Sequence, residues 1–262
     1  MERLLSRLRM NGWAKDGSSI EKVTFVMRKF SEWFPFENVD VLTKNNAEIS
    51  PAYLISKMIV GGRGGLCYEI NPLLYLTLKE LGFDVFLSAA TIYNKEDWAI
   101  DRTHAIVLLR INGQLFLADS GMGNRIALAP VPLDQQEVRS PAGSFRLRTL
   151  HSEKGSVALE MLNSENQWVL RYAFHPETLP WEELNRMKRD IHTQERSPFN
   201  KQLLIANVLP DGTQSINEER LHRRWMDGRE ETIAFPDHNL LLQAIQTHYS
   251  PSLDEAVKAY LS

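Results

Sequence analysis

His104-Ala105-Ile106-Val107-Leu108-Leu109 and Leu115-Phe116-Leu117-Ala118-Asp119 lie either side of Asn112-Gly113. Two apolar runs around Asn-Gly are the strongest short-range signal for a hairpin with a two-residue turn. In such a hairpin the numbers of opposed residues sum to 225, so Asp119 faces Ile106. His104 lies two residues from Ile106 and therefore shares a face with Asp119. Diagonal neighbours on one face are about 7–8 Å apart at the backbone, within reach of an imidazole and a carboxylate. That is the arrangement in which a carboxylate fixes the tautomer of a catalytic histidine. By itself His104 reads more readily as a satisfied structural histidine, and it is the pairing with Asp119 that tips the reading toward a base and its orienter.

Outward from the hairpin, residues 85–93, 145–150, 156–161, 168–174 and 203–208 also read as strands. Short strands at this spacing suggest a small barrel or sandwich. Pro130, Pro132 and Pro141 mark a loop between them. The first third reads helical. Residues 20–34 carry apolar side chains near helical spacing and stop at Pro35. A second helix starts after Ser50, with Pro51 in its first turn, and runs to about residue 60. A third covers 73–81 and stops at Gly82. Near the end, 240–248 and 253–261 read helical. Residues 218–231, with five acidic residues and four arginines, read as a solvated helical face. No linker is long enough to separate independent domains.

Composition narrows the function classes. The chain has 262 residues, a formal net charge of −3 and one cysteine. A single cysteine forms no intramolecular disulfide and no multi-cysteine zinc site. Near-neutral charge argues against a broad basic face for nucleic acid. No apolar run approaches the roughly 20 residues that span a bilayer. Arg3, Arg7, Arg9 and Lys15 interrupt the start, so no secretory core is expected there. The expectation is a cytoplasmic globular protein.

Cys67 follows Gly61-Gly62-Arg63-Gly64-Gly65-Leu66, a glycine-rich approach open to a ligand. A helix begins between Cys67 and Pro72. Thiols at helix N-termini can titrate at roughly 3.5–7.5 instead of about 8.5, which makes a thiolate nucleophile at neutral pH. The residues alone leave Cys67 open between that role and a small buried hydrophobe. Among the seven histidines no His-x-x-x-His spacing occurs, and the six besides His104 read as surface residues. The phosphate-loop, dinucleotide and Gly-x-Ser-x-Gly fingerprints are absent.

Cys67, His104 and Asp119, in that order and in these segments, resemble the arylamine N-acetyltransferase family, in its bacterial form. Pro35-Phe36-Glu37-Asn38 is similar to its Pro-Phe-Glu-Asn motif. Arg63-Gly64-Gly65-Leu66-Cys67-Tyr68-Glu69-Ile70-Asn71 resembles its Arg-Gly-Gly-Tyr-Cys-Phe-Glu-x-Asn. Thr103-His104 and Asp119-Ser120-Gly121-Met122-Gly123 match its Thr-His and Asp-Val-Gly-Phe-Gly. The resemblance implies an α+β fold: a helical domain over 1–84 carrying the nucleophile, a β-barrel domain over 85–195 carrying His104 and Asp119, and an α/β lid over 196–262. It implies a core like that of cysteine proteases. It implies that Cys67 takes acetyl from acetyl-coenzyme A, a cosubstrate and not a bound cofactor, and passes it to an arylamine, hydrazine or arylhydroxylamine. His104 would be base and acid, and Asp119 the orienter. Thr103, Phe36, Gly121, Met122 and Gly123 would lie against coenzyme A or the acceptor, and Glu37 and Arg63 would be a structural ion pair. No metal, nucleic acid or membrane is implied. Leu66 and Met122 depart from the family's Tyr and Phe, and Met122 removes an aromatic wall. An amide synthase or amide hydrolase with another acyl donor is the alternative on the same three residues.

Overall fold

In the computed structural model, which describes residues 1–10, 12–13 and 16–262, Asn112 and Gly113 both have positive φ, 52° and 80°. These values make a type I′ turn, whose twist suits a hairpin. Lys15, one of the charges interrupting the chain start, lies outside the described residues.

The elements follow in chain order. First come α1 (Glu2–Met10), α2 (Ser19–Trp33), β1 (Phe36–Glu37), α3 (Val39–Leu42), α4 (Pro51–Leu54), a π-helical stretch Ile55–Val60 and α5 (Cys67–Glu80). Next are β2 (Asp84–Ile92), β3 (His104–Ile111), β4 (Gln114–Ala118), β5 (Val131–Pro132), β6 (Val138–Ser140), β7 (Gly143–Ser152), β8 (Gly155–Leu162) and β9 (Trp168–Phe174). The chain ends with α6 (Trp181–Thr193), β10 (Ile205–Leu209), β11 (Gly212–Ile216), β12 (Arg220–Trp225), β13 (Glu230–Ala234), α7 (His238–His248) and α8 (Pro251–Leu261).

Local chemistry sets the helix ends. Ser18 and Glu21 form a reciprocal capping box on α2. The Ser50 side chain caps α4. At the end of α5, Gly82 takes φ +87° and the Phe83 N–H reaches Leu78 O at 3.0 Å, a Schellman stop.

The eight-stranded antiparallel sheet runs β5-β4-β3-β2-β9-β8-β7-β6 and curls into a nearly closed barrel, with β5 against β7. Its interior holds Ile106, Leu108, Leu117, Phe145, Leu159, Tyr172 and Phe174. The alternate residues of β3, Ala105, Val107 and Leu109, pack outward with Leu74 and Leu78 of α5. Burial on both faces explains why β3 is a continuous apolar run. The hairpin register is the one read from the turn, from Val107↔Ala118 to Ile111↔Gln114. A second sheet, β1-β10-β11-β12-β13, carries α7 and α8 over Ile205, Ile216 and Leu221.

Residues 218–231 correct the helical reading. They contribute β12 and the start of β13, joined around Gly228 at φ +88°. The charges lie on facing strands, Arg223 opposite Glu231 and Arg224 opposite Glu230, and their ion pairs run across strands, from Arg223 to Asp211 and from His222 to Glu230, not along a helix. Asp227-Gly228 is the hairpin signal that the charge density hides.

Candidate active site

Cys67 is the first residue of α5, and its side chain is buried at 5% exposure. Two close approaches place it there. The chain before it runs beside Pro35-Phe36, and a Cβ on Gly64 would lie 1.7 Å from the Pro35 carbonyl oxygen. Glu69, two residues after Cys67, turns its Oε2 back to accept the Leu66 N–H at 3.0 Å, which closes the helix start. The thiol sulfur lies 3.5 Å from the Thr103 carbonyl oxygen.

His104 enters from β3 and Asp119 from the end of β4. The His104 Nε2 lies 2.8 Å from Asp119 Oδ2, so the diagonal contact read from the hairpin forms. Asp119 is saturated. Its Oδ2 also accepts the Tyr172 hydroxyl at 2.8 Å, and its Oδ1 accepts Asn71 Nδ2 and the Gly121 N–H, both at 2.8 Å. Asn71 in turn donates to Ala105 O and accepts the Ser120 N–H, which ties α5 to the hairpin. Burial disfavours the His104 imidazolium. The charge and hydrogen bond of Asp119 outweigh it, helped by a hydrogen bond to Cys67, and raise the His104 pKa from 6.5 to about 10. Because Nε2 is engaged by Asp119, Nδ1 is the nitrogen left for Cys67. Asp119 is held below the usual carboxylate range: burial pushes it up, and His104 overcomes this.

Beneath the start of α5 lies a buried ionic network. Arg63 donates from Nε (3.0 Å) and Nη2 (2.7 Å) to Glu37 Oε1, the ion pair expected from the sequence, and also reaches Asp40 at 3.1 Å. Lys57 reaches Glu69 at 2.7 Å and Asp40 at 3.0 Å. The Tyr53 hydroxyl sits 2.8 Å from Asp40 and 3.0 Å from Glu69. Burial raises Asp40, but Lys57 and Arg63 prevail and hold it far below the carboxylate range. Burial likewise lowers Lys57, and Glu69, Glu37 and Asp40 prevail and raise it.

The structure brings the other expected residues to the same place. A Cβ on Gly121 would lie 2.8 Å from Cys67 Cα, so the loop after Asp119 lies directly on the nucleophile position. Gly123, at φ +64°, faces the Phe36 ring, which packs edge-on against Phe199. Met122 is half-buried and packs toward the barrel core. The Thr103 hydroxyl donates to Ile100 O, so its carbonyl, not its hydroxyl, meets the thiol.

Two further residues of the site, Asn71 and Tyr172, are not singled out by the sequence reading. Asn71 was findable, because it sits four residues after Cys67 on one helix face. Tyr172 arrives through β2–β9 pairing, which no local signal announces. His192 corrects the reading of six surface histidines. It is half-buried on α6, with Nε2 3.0 Å from the Tyr68 hydroxyl, and burial and Lys188 lower its pKa to about 4. Among the described residues no helix is long and apolar enough to cross a membrane.

Residues 19–257 match the family model described as N-acetyltransferase. An uncharacterized acetyltransferase of Bacillus subtilis, YvcN, is 40% identical over 209 residues, 79% of this chain and 82% of that one. The crystal structure of the NAT3 arylamine N-acetyltransferase from Bacillus cereus, described as having a Cys-His-Glu catalytic triad, superposes with a TM-score of 0.86. It is 34% identical, with 95% of this chain and 96% of that chain covered. The Mycobacterium marinum arylamine N-acetyltransferase in complex with CoA shares the fold, with a TM-score of 0.84 and 23% identity over 97% of this chain and 94% of that one.

Proposed function

The chain belongs to the arylamine N-acetyltransferase family, and on that premise we propose that Cys67, His104 and Asp119 carry acetyl from acetyl-coenzyme A to an arylamine or hydrazine nitrogen, or to an arylhydroxylamine oxygen, through an acetyl-cysteine thioester. The observation that carries this reading is the buried His104–Asp119 contact with Cys67 at the helix start beside it.

Asp119 keeps His104 protonated at neutral pH, so an imidazolium faces the sulfur as its counter-charge. In the first step the Cys67 sulfur bonds to the thioester carbonyl carbon. The bond to the coenzyme A sulfur breaks, and that sulfur leaves with the proton from His104. In the second step the acceptor amine bonds to the acetyl carbon and gives its proton to His104, and Cys67 leaves as the thiolate. A helix start leaves its first N–H groups without intrahelical acceptors, and the Cys67 N–H is the donor placed to meet the oxyanion.

Incubation with acetyl-coenzyme A alone, followed by intact-mass and peptide analysis, is expected to add one acetyl group on Cys67. Aniline then removes it as acetanilide faster than water does. Absence of the adduct, or loss to water at the same rate with and without aniline, rules the proposal out.

A further inference from the structure

Acetyl transfer by Cys67, His104 and Asp119 makes no use of Asn38, yet Asn38 is fully buried and heavily bonded. It occupies the N-cap of α3, where an asparagine side chain ordinarily accepts an N–H of the first turn. Here it makes no such bond, and Glu37 Oε2 accepts the Val39 N–H at 2.8 Å instead. The Asn38 amide is spent far along the chain. Its Nδ2 donates to the Phe199 carbonyl at 2.8 Å and to the Gln202 carbonyl at 2.7 Å, and its Oδ1 accepts the Leu204 N–H at 2.7 Å. Two carbonyls on one side and an N–H on the other also fix which way the amide points. One side chain thus satisfies three backbone groups of the crossover from α6 to β10.

What this clamp places is Phe199. Its half-buried ring meets the Phe36 ring edge to face, with 5.6 Å between centroids and 64° between planes. The pair stands between the two segments that flank the thiol. On one side β1 runs beside the chain before Cys67: the Glu37 N–H donates to Gly65 O at 3.0 Å, and the Gly65 N–H to Pro35 O at 3.1 Å. On the other side is the loop after Asp119. A Cβ on Gly123 would lie 3.5 Å from the Phe36 ring and 3.7 Å from the Ala206 methyl, and a Cβ on Gly121 would lie 2.8 Å from Cys67 Cα. Met122, between these glycines, packs toward the barrel core, so the aromatic surface here comes from Phe36 and Phe199. An edge-to-face pair with one ring partly exposed offers a surface to a third ring. The acetyl thioester carries no ring near its reacting carbon, whereas an arylamine carries one on its reacting nitrogen.

We infer that Asn38 is a positioning residue for the acceptor step: by clamping residues 199–204 it holds Phe199 against Phe36, and the two rings form the wall on which the arene of the acceptor packs. This rests on the acetyl-transfer reading and deepens it. The clamp favours acceptors whose nitrogen is attached to a ring over those whose nitrogen is not.

The test discharges preformed acetyl-Cys67 into aniline or into hydrazine, which has no ring, and reads the ratio of the two second-order rates. Asn38→Ser keeps a good N-cap residue for α3 and removes the reach to residues 199–204. Phe199→Leu keeps an apolar side chain and removes the ring. The aniline-to-hydrazine ratio is expected to fall by about 10-fold in each variant, the scale of a lost aromatic contact. It should fall no further in the double variant, because Asn38 acts through Phe199. A structural role alone slows both acceptors equally, so an unchanged ratio in either variant overturns the inference, as does a double variant that multiplies the two losses. Where Asn38→Ser does not fold, Asn38→Asp takes its place under the same ratio: it keeps the size of the side chain and the Leu204 bond but loses both donations. Wild-type protein that passes acetyl to aniline, beside variants with an unchanged ratio, loses the Asn38 clamp alone. Wild-type protein that never forms acetyl-Cys67 removes the acetyl-transfer reading and this inference with it.

Discussion

Asp119→Asn separates the charge of the carboxylate from its shape. The amide oxygen of the replacement side chain keeps the donors Asn71 Nδ2 and the Gly121 N–H, and the Tyr172 hydroxyl can rotate to accept from the new amide. The fold is therefore expected to survive with a loss of about 1–2 kcal/mol. The fourth contact reverses. An amide nitrogen facing His104 Nε2 donates, so Nε2 must accept and the ring proton moves to Nδ1, toward Cys67. The imidazolium also loses its partner. The charge and hydrogen bond of Asp119 are the largest supports of the charged ring, and without them burial shifts the balance toward the neutral form. His104 therefore shifts from the imidazolium toward the neutral ring, in the wrong tautomer. The rate of Cys67 acetylation should fall by about 10³–10⁴-fold, the scale seen when a triad carboxylate becomes an amide. Stopped-flow release of coenzyme A in the absence of amine measures this step, with circular dichroism as the folding control. A folded Asp119→Asn protein that acetylates Cys67 within about tenfold of wild type would refute the assignment of Asp119 as orienter.

Three further outcomes are expected. Gly121→Ala puts a Cβ 2.8 Å from Cys67 Cα and 2.7 Å from Asn71 Nδ2, atoms that cannot yield without moving α5; acetylation should drop by about 100-fold, the scale of a displaced reacting group, while helical circular dichroism persists. Glu69→Gln leaves buried Lys57 short of a partner and should cost about 3 kcal/mol in urea unfolding, whereas Glu183→Gln, at an exposed pair with Arg186, should cost less than about 0.5 kcal/mol; equal costs would contradict the role given to the network. Stability should also depend on pH from both sides. The stabilisation from His104 is fully present below pH 6.5 and lost as pH rises through about 10, while His192, lowered to about 4, makes stability fall as pH drops below 6.5; a urea midpoint rising from pH 7 to 10 would contradict the first.

How much of this was legible depends on the range over which each contact is encoded. The β3–β4 hairpin was readable to the residue, because Asn112-Gly113 fixes both turn geometry and register, and register decides which side chains share a face. Gly82 and Ser50 were readable for the same local reason. Helix α6 escapes the sequence reading although Leu184, Met187 and Ile191 are buried at helical spacing. Only that apolar stripe shows it, since Pro180 at its N-cap makes no side-chain cap bond and no glycine ends it. Strands β11 to β13 escape it because their polar faces are legible only once β10 and α7 supply the apolar face opposite.

The candidate site divides along the same line. Cys67 with its helix, and His104 with Asp119, each come from one continuous segment, so motif and register sufficed for them. What joins the two segments is non-local. Asn71 bridges α5 to Ala105, Asp119 and Ser120, and Tyr172 comes from a strand far along the chain from Asp119. The network under α5 draws Glu37, Asp40, Lys57, Arg63 and Glu69 from separate elements and loops. Breaking such a buried group by removing one partner costs more than the group contributes when whole, because a desolvated charge is left behind. The network therefore acts as a constraint more than as a source of stability: it admits few positions for the start of α5, and the thiol rides on that start. A variant that keeps every triad residue but loosens this support, such as Glu69→Gln, should lose activity through the placement of Cys67, with the pH dependence set by His104 unchanged.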